Sequence, residues 1–240
     1  MFALKLKTGS PVFFFSKIMK LKNLILLFCI CGFVSNTSFA QLALMRDTGT
    51  GNPIMANPYM EVKGTPYLSD FVTGVLILPD SQRVDNIMIS VNGYENTLEY
   101  KLNGMLFAYN PNKLKGFILP GATGQAEAFT SQYLLPNFGE KRFVQVLEEG
   151  RYTLVNYRYK VMVDDVSAGY GAQSSKVFQD ESMYYIARDG KTFVVKNKSK
   201  TLQEIFGDDY AKAENIIKQQ KLDIKEGAAL VRLVQFLNAQ

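Results

Sequence analysis

Between Thr97 and Leu102 the side chains alternate strictly: Leu98, Tyr100 and Leu102 fall on one side, Thr97, Glu99 and Lys101 on the other. A period of two marks a half-buried β-strand, because successive side chains point to opposite faces. Ile87, Ile89 and Val91 repeat the pattern, as do Met105, Phe107 and Tyr109. The run Phe71–Leu78 (FVTGVLIL) is more uniformly apolar and reads as a strand buried on both sides. Thr153–Val163 is the longest candidate. It places Val155, Tyr157, Tyr159, Val161 and Val163 on one face and Leu154, Asn156, Arg158, Lys160 and Met162 on the other. The breaks are turn dipeptides. Asn92-Gly93, Asn103-Gly104 and Asp189-Gly190 are of the kind that tight primed hairpins need for positive φ. Hairpins so closely spaced predict antiparallel neighbours, roughly eight to ten strands between Tyr59 and Asn197.

After Asn197 the period changes. Thr201 with Glu204 three residues on fits a capping box, Leu202, Ile205 and Phe206 give an apolar stripe, and Gly207 is a natural stop. Asp208-Asp209 can open a second helix, with the stripe Tyr210, Ala213, Ile216 and Ile217. A third runs from about Lys225 to Asn238, where Leu230, Leu233, Val234 and Leu237 follow helical spacing. The predicted class is therefore α+β. A mainly antiparallel β meander, as a curved sheet, a sandwich or a partly open barrel, is followed by about three C-terminal helices spanning about 199–238. An outer-membrane barrel would have longer, aromatic-girdled strands and would finish on one.

The N-terminal 40 residues read as a secretion leader preceded by an upstream extension, with Met19 a better start than Met1. Lys20 and Lys22 precede an apolar run of 11 residues, Leu24–Val34, and Ser38-Phe39-Ala40 predicts cleavage between Ala40 and Gln41. The run falls short of the about 20 apolar residues that span a bilayer. Cys29 and Cys31 follow Phe28 and Ile30, where a lipoprotein signal wants a small residue. The expected location is the periplasm or the extracellular side of the envelope. Residues 41–58 read as an extended lead-in, and 59–240 as one domain.

Removing the leader changes the chemistry on offer. The chain has 27 basic and 22 acidic residues, but residues 1–40 hold five lysines and no carboxylate, so 41–240 is neutral. A neutral chain gives no electrostatic reason to bind nucleic acid. Both cysteines lie in the leader, and there is no histidine or tryptophan anywhere. Disulfides, thiolate chemistry and a Ser-His-Asp triad are thereby excluded from 41–240, and no metal or cofactor motif is present. The doublets Glu148-Glu149, Asp164-Asp165 and Asp208-Asp209 are weak glycosidase candidates. Catalytic carboxyls must face each other about 5–9 Å apart across a cleft, whereas neighbours on a strand diverge.

The remaining candidates are aromatic. Tyr157, Tyr159, Tyr184 and Tyr185 fall in neighbouring strands, and Tyr170 sits in the Gly/Ser-rich stretch 164–176. Tyrosines with a polar tip can line a contact for a partner or an apolar ligand, and they equally serve as cross-strand packing pairs. The stretches 120–126 and 164–176 are the expected rims of any site.

The order of parts has a likeness. Lys63-Gly64-Thr65-Pro66-Tyr67-Leu68 is followed by Gly74 inside a strand and by the strands around Thr97–Leu102. A Tyr184-Tyr185…Asp189-Gly190-Lys191 hairpin and helices opening near Asn197-Lys198-Ser199 come after. This layout resembles a group of uncharacterised exported proteins of Bacteroidetes-type bacteria, over most of residues 61–238. The resemblance implies an envelope location and a β-then-helix scaffold. It implies no reaction and brings no catalytic residues. The expectation is a non-enzymatic module that docks an envelope protein. The alternatives are a carrier of an apolar, lipid-like molecule and, third, a carboxylate-based hydrolase.

Overall fold

The backbone of this protein is organised by one long antiparallel ladder. In the computed structural model, which describes residues 52–53, 59, 61–121, 124–165 and 175–239, Thr153–Asp164 pairs with Lys176–Arg188 without a break in register. The stretch from Thr50 onward forms one compact unit. The expected cleavage site at Ala40 and Gln41, and Tyr170, lie outside the described residues.

Twelve strands are described: β1 (Asn52–Pro53), β2 (Val62–Lys63), β3 (Val72–Ile77), β4 (Arg83–Asn92), β5 (Thr97–Leu102), β6 (Met105–Tyr109), β7 (Gly116–Pro120), β8 (Ala126–Thr130), β9 (Val144–Glu148), β10 (Thr153–Asp164), β11 (Lys176–Arg188) and β12 (Lys191–Val194). They form one sheet in the order β1-β6-β5-β4-β3-β7-β8-β9-β10-β11-β12, with β2 attached to β11. β1 and β12 are its two ends, and the sheet does not close. The pairing departs from the antiparallel expectation at one place. β2 runs parallel to β11, Val62 opposite Lys176, because it arrives from a distant part of the chain and not through a hairpin.

From β2 onward the chain forms a strap across the curled sheet. The Leu68 N–H donates to the Val91 carbonyl (2.9 Å) and the Gly93 N–H to that of Pro66 (2.9 Å). The Lys160 N–H in β10 reaches the Gly93 carbonyl (3.1 Å), so the β4–β5 turn sits against β10. Side chains fix the strap as well. The Tyr67 hydroxyl donates to the buried Glu99 carboxylate (2.6 Å), whose other oxygen accepts from the Asn92 amide (2.8 Å). Tyr59, Tyr94 and Phe178 meet edge to face at its start.

Leu76, Ile89, Leu98 and Phe117, on β3, β4, β5 and β7, are all fully buried. Phe117 stacks on Phe129 (4.7 Å) and meets Phe143 edge-on (5.2 Å). Gly74 makes this packing possible. A Cβ there would stand 2.6 Å from both the Ile118 carbonyl oxygen and the Ile89 Cδ1, so only glycine lets the three strands approach. The expected two-sided burial of 71–78 is only partial, since alternate positions of β3 stay half exposed.

Three α-helical stretches follow: α1 (Ser199–Phe206), α2 (Tyr210–Gln220) and α3 (Gly227–Asn238). The expected count of about three separate helices is not met. α1 runs into α2 through a 3₁₀ turn, Gly207–Asp209, leaving two helical arms. The capping box is also corrected. α1 starts at Ser199 with Lys198 as its cap residue, and no side chain caps it, which puts Thr201 already inside the helix. The apolar stripes do pack as one cluster. Leu202, Ile205, Phe206, Ala213, Leu230, Leu233, Val234 and Leu237 bury Tyr152, Leu154 and Ile186 of the sheet.

Of the turn dipeptides, Asn103-Gly104 and Asp189-Gly190 take positive φ at both residues, as primed hairpins require. Asn92-Gly93 does not, and Asn96 supplies the left-handed residue of a longer turn. Asn92 remains in the strand because its side chain is committed to Glu99 and to the Glu95 N–H (3.0 Å). Replacing the fully buried Phe117 by alanine should lower unfolding stability by about 3–5 kcal/mol, read from urea midpoints. A loss below about 1 kcal/mol would mean that the aromatic stack is not part of the core.

Candidate functional site

The β11–β12 hairpin leaves a strand edge open. Asp189 and Gly190, with φ of 50° and 73°, form its two-residue turn, and Arg188 pairs with Lys191 across it. The register continues through Ile186–Phe193 to Tyr185–Val194, and the Val195 N–H donates to the Tyr184 carbonyl (2.9 Å). In an antiparallel ladder the residues that bond across a strand pair alternate with residues whose backbone groups point away. Lys191, Phe193 and Val195 therefore face β11, while the N–H and C=O groups of Thr192 and Val194 face outward. Among the described residues, no strand pairs with β12 on that side.

Beside this edge lies a cleft of about 1030 Å³. Its first wall is the loop between β8 and β9, with Tyr133, Leu134, Leu135, Pro136 and Phe138. Leu135 is fully buried among Val144, Val155, Tyr157 and Tyr185, which anchors the loop to the sheet. Phe138 meets Tyr157 edge-on (5.1 Å), and the Arg142 guanidinium lies over Phe138 (4.8 Å) and pairs with Glu140 (2.9 Å). Held between these anchors, Leu134 is 63% exposed at the cleft.

The second wall is the helical side, with Arg151, Arg188, Lys191, Thr201 and Glu204. Arg188 donates to the Ile205 carbonyl (2.7 Å), one of the carbonyls that the end of α1 leaves without an intrahelical partner. Its Nε lies 3.1 Å from the Asp189 carboxylate. Arg151 pairs with Asp209 (2.7 Å), which also accepts from the Tyr152 hydroxyl (2.7 Å). That hydrogen bond, with the charges of Arg151, Lys212 and Arg188, holds the Asp209 carboxyl below its usual range. It also explains why Asp208-Asp209 does not cap α2: the Asp209 side chain is taken by the sheet. Arg151, Arg188, Lys191 and Lys196 line the cleft against Asp189 and Glu204, so its walls carry an excess of positive charge.

The expected tyrosines are placed otherwise. Tyr157, Tyr159 and Tyr185 come together on one face of β10 and β11, with Tyr157 stacked on Tyr159 (4.9 Å). That face is filled by Leu135, Val144 and Phe138. Tyr184 lies on the opposite face and packs beneath the helices, where a Cβ on Gly227 would come 2.6 Å from its hydroxyl. None of these four lines the cleft. The doublets do not face one another across it either. Glu148 accepts from Gln235 (2.9 Å), Asp165 pairs with Lys63, and Asp209 is engaged as above. The described residues of the 120–126 stretch do not line the cleft, and 122–123 and 166–174 are outside the described residues. Sequence reasoning missed the 132–138 loop. Its signal was an apolar Tyr133-Leu134-Leu135-Pro136 run with no period of its own.

Among the described residues no group of acidic, histidine or cysteine side chains could hold a metal ion, and no helix is long and apolar enough to cross a membrane. Comparison with family models, curated proteins and solved structures finds no match to this chain.

Burial pushes the Tyr185 phenol up to about 12 and raises those of Tyr157 and Tyr159. A phenol whose pKa rises on folding stabilises the fold fully below its unfolded value of about 10, and that contribution disappears as pH climbs through the folded value. Stability should therefore fall between about pH 10 and pH 12, and Tyr185→Phe should make the decline shallower in urea unfolding followed across that range. An identical slope for the variant and the parent would show that Tyr185 does not couple to folding.

Proposed function

We propose that this protein is a non-enzymatic interaction module whose binding surface is the open edge of β12 and the cleft beside it. An extended segment of a partner protein would add to the sheet there. The observation that carries this reading is the pair Thr192 and Val194, whose backbone groups face outward beside a cleft of about 1030 Å³. An exposed edge of this kind is a template for β-augmentation. Main-chain hydrogen bonds supply affinity, and the flanking side chains supply selectivity. The loop wall offers Leu134 and Pro136 as apolar contacts on a support immobilised by Leu135 and Phe138.

Two lysines argue against self-pairing. Lys191 opens β12 and Lys196 follows it, so an edge-to-edge dimer would gather two lysines from each copy along one short ladder. Like charges at such positions oppose pairing. The apolar-carrier reading has less support, because the tyrosine face that would hold the ligand is occupied by Leu135, Val144 and Phe138. A partner in the cell envelope fits the secretion leader expected from the sequence.

Peptides selected from a random library against this protein provide the test. On binding, the amide protons of Thr192 and Val194 should become protected from solvent exchange, as read by NMR. Thr192→Pro should abolish binding while leaving the unfolding midpoint nearly unchanged, because the lost N–H faces away from β11. Protection elsewhere, with these two amides still exchanging freely, would rule out the edge as the binding surface.

A further inference from the structure

The two walls of the cleft differ in chemistry, and an added strand would meet both. Side chains of β12 alternate, so Thr192 and Val194 share the face of the tyrosine cluster. Lys191 shares the face of Phe193, which packs toward the helices. A strand laid along the edge would place its own side chains in the same alternation. Every second residue would point to the loop wall of Leu134, Pro136 and Phe138. The residues between would point to Arg151, Arg188 and Lys191.

The cations on that wall are not equally committed. Arg188 is tied to Asp189 and to the end of α1. Arg151 is paired with Asp209 through one nitrogen and keeps a largely exposed side chain. Lys191 has no ion pair among the described residues and is exposed beside the outward edge. Glu204 is the opposing charge on the same wall.

Resting on the edge-binding reading above, we infer that the occupant is an extended peptide segment alternating apolar and acidic residues. Its apolar side chains lie against Leu134 and Phe138, and its carboxylates lie toward Lys191 and Arg151. The same Lys191 that opposes a second copy of this chain selects a partner strand of opposite charge. Specificity here comes from the repulsive element as much as from the attractive one.

Three synthetic peptides of about eight residues test this, alternating valine with glutamate, with serine or with lysine. Binding to the full protein is measured by calorimetry at low and at high salt. The glutamate peptide should bind about tenfold more tightly than the lysine peptide, and the gap should narrow at high salt. Lys191→Glu should reduce or reverse the preference while circular dichroism shows the fold retained. If all three bind equally and Thr192→Pro abolishes each, the edge stands and the acidic preference is overturned. If none binds, the edge reading fails and the inference fails with it.

Discussion

The uninterrupted pairing of β10 with β11 is the constraint on which the other parts of this molecule depend. Each strand of that ladder has two faces, and both are used near its Thr153–Arg188 end. Leu154 and Ile186 receive the helices, while Val155, Tyr157 and Tyr185 receive the β8–β9 loop. A slip of one residue would exchange the two sets and strand both coverings. The hairpin to β12 inherits the same register, so the direction in which Thr192 and Val194 point is decided by the long ladder.

The covering layers then decide which side chains stand beside the edge. On one side the loop is pinned by Leu135 and Phe138, which presents Leu134 without letting it collapse into the core. On the other, Arg188 closes the end of α1 and Arg151 draws Asp209 to the sheet, which sets α1 alongside the hairpin. The loop and the helical side both line the cleft beside β12.

Much of the scaffold was legible because it rests on local rules. Period-two alternation located β4, β5, β6 and β10, helical spacing located the buried leucines of α3, and Asp189-Gly190 announced the last hairpin. What escaped depends on contacts between distant residues. Asn92-Gly93 carries a turn signature, but the buried Glu99 holds Asn92 in the strand. Asp208-Asp209 does stand at the start of α2, with Asp209 as the residue before it, but Tyr152 and Arg151 claim the Asp209 side chain. The tyrosines attracted a functional reading through their chemistry, and packing absorbed three of them on one face and Tyr184 on the other. The cleft was hidden for a related reason: its loop wall has no periodicity, and its position comes from side chains that sit two strands away.

The strap formed by β2 and the residues after it has a consequence for how the molecule assembles. Val62 pairs with Lys176, more than a hundred residues later in the chain, whereas most of the sheet joins strands that follow one another. Hairpins form early because their loops are short, and a closure of this length carries a larger entropic cost and slows folding. The segment made near the start of the domain is thus expected to be set in place after the local hairpins. Until then the buried Glu99 lacks its Tyr67 partner, and the β4–β5 turn stays free of the strap. The strap across the curled sheet is in that sense expected to join after the strands that pair with their sequence neighbours, which are most of them.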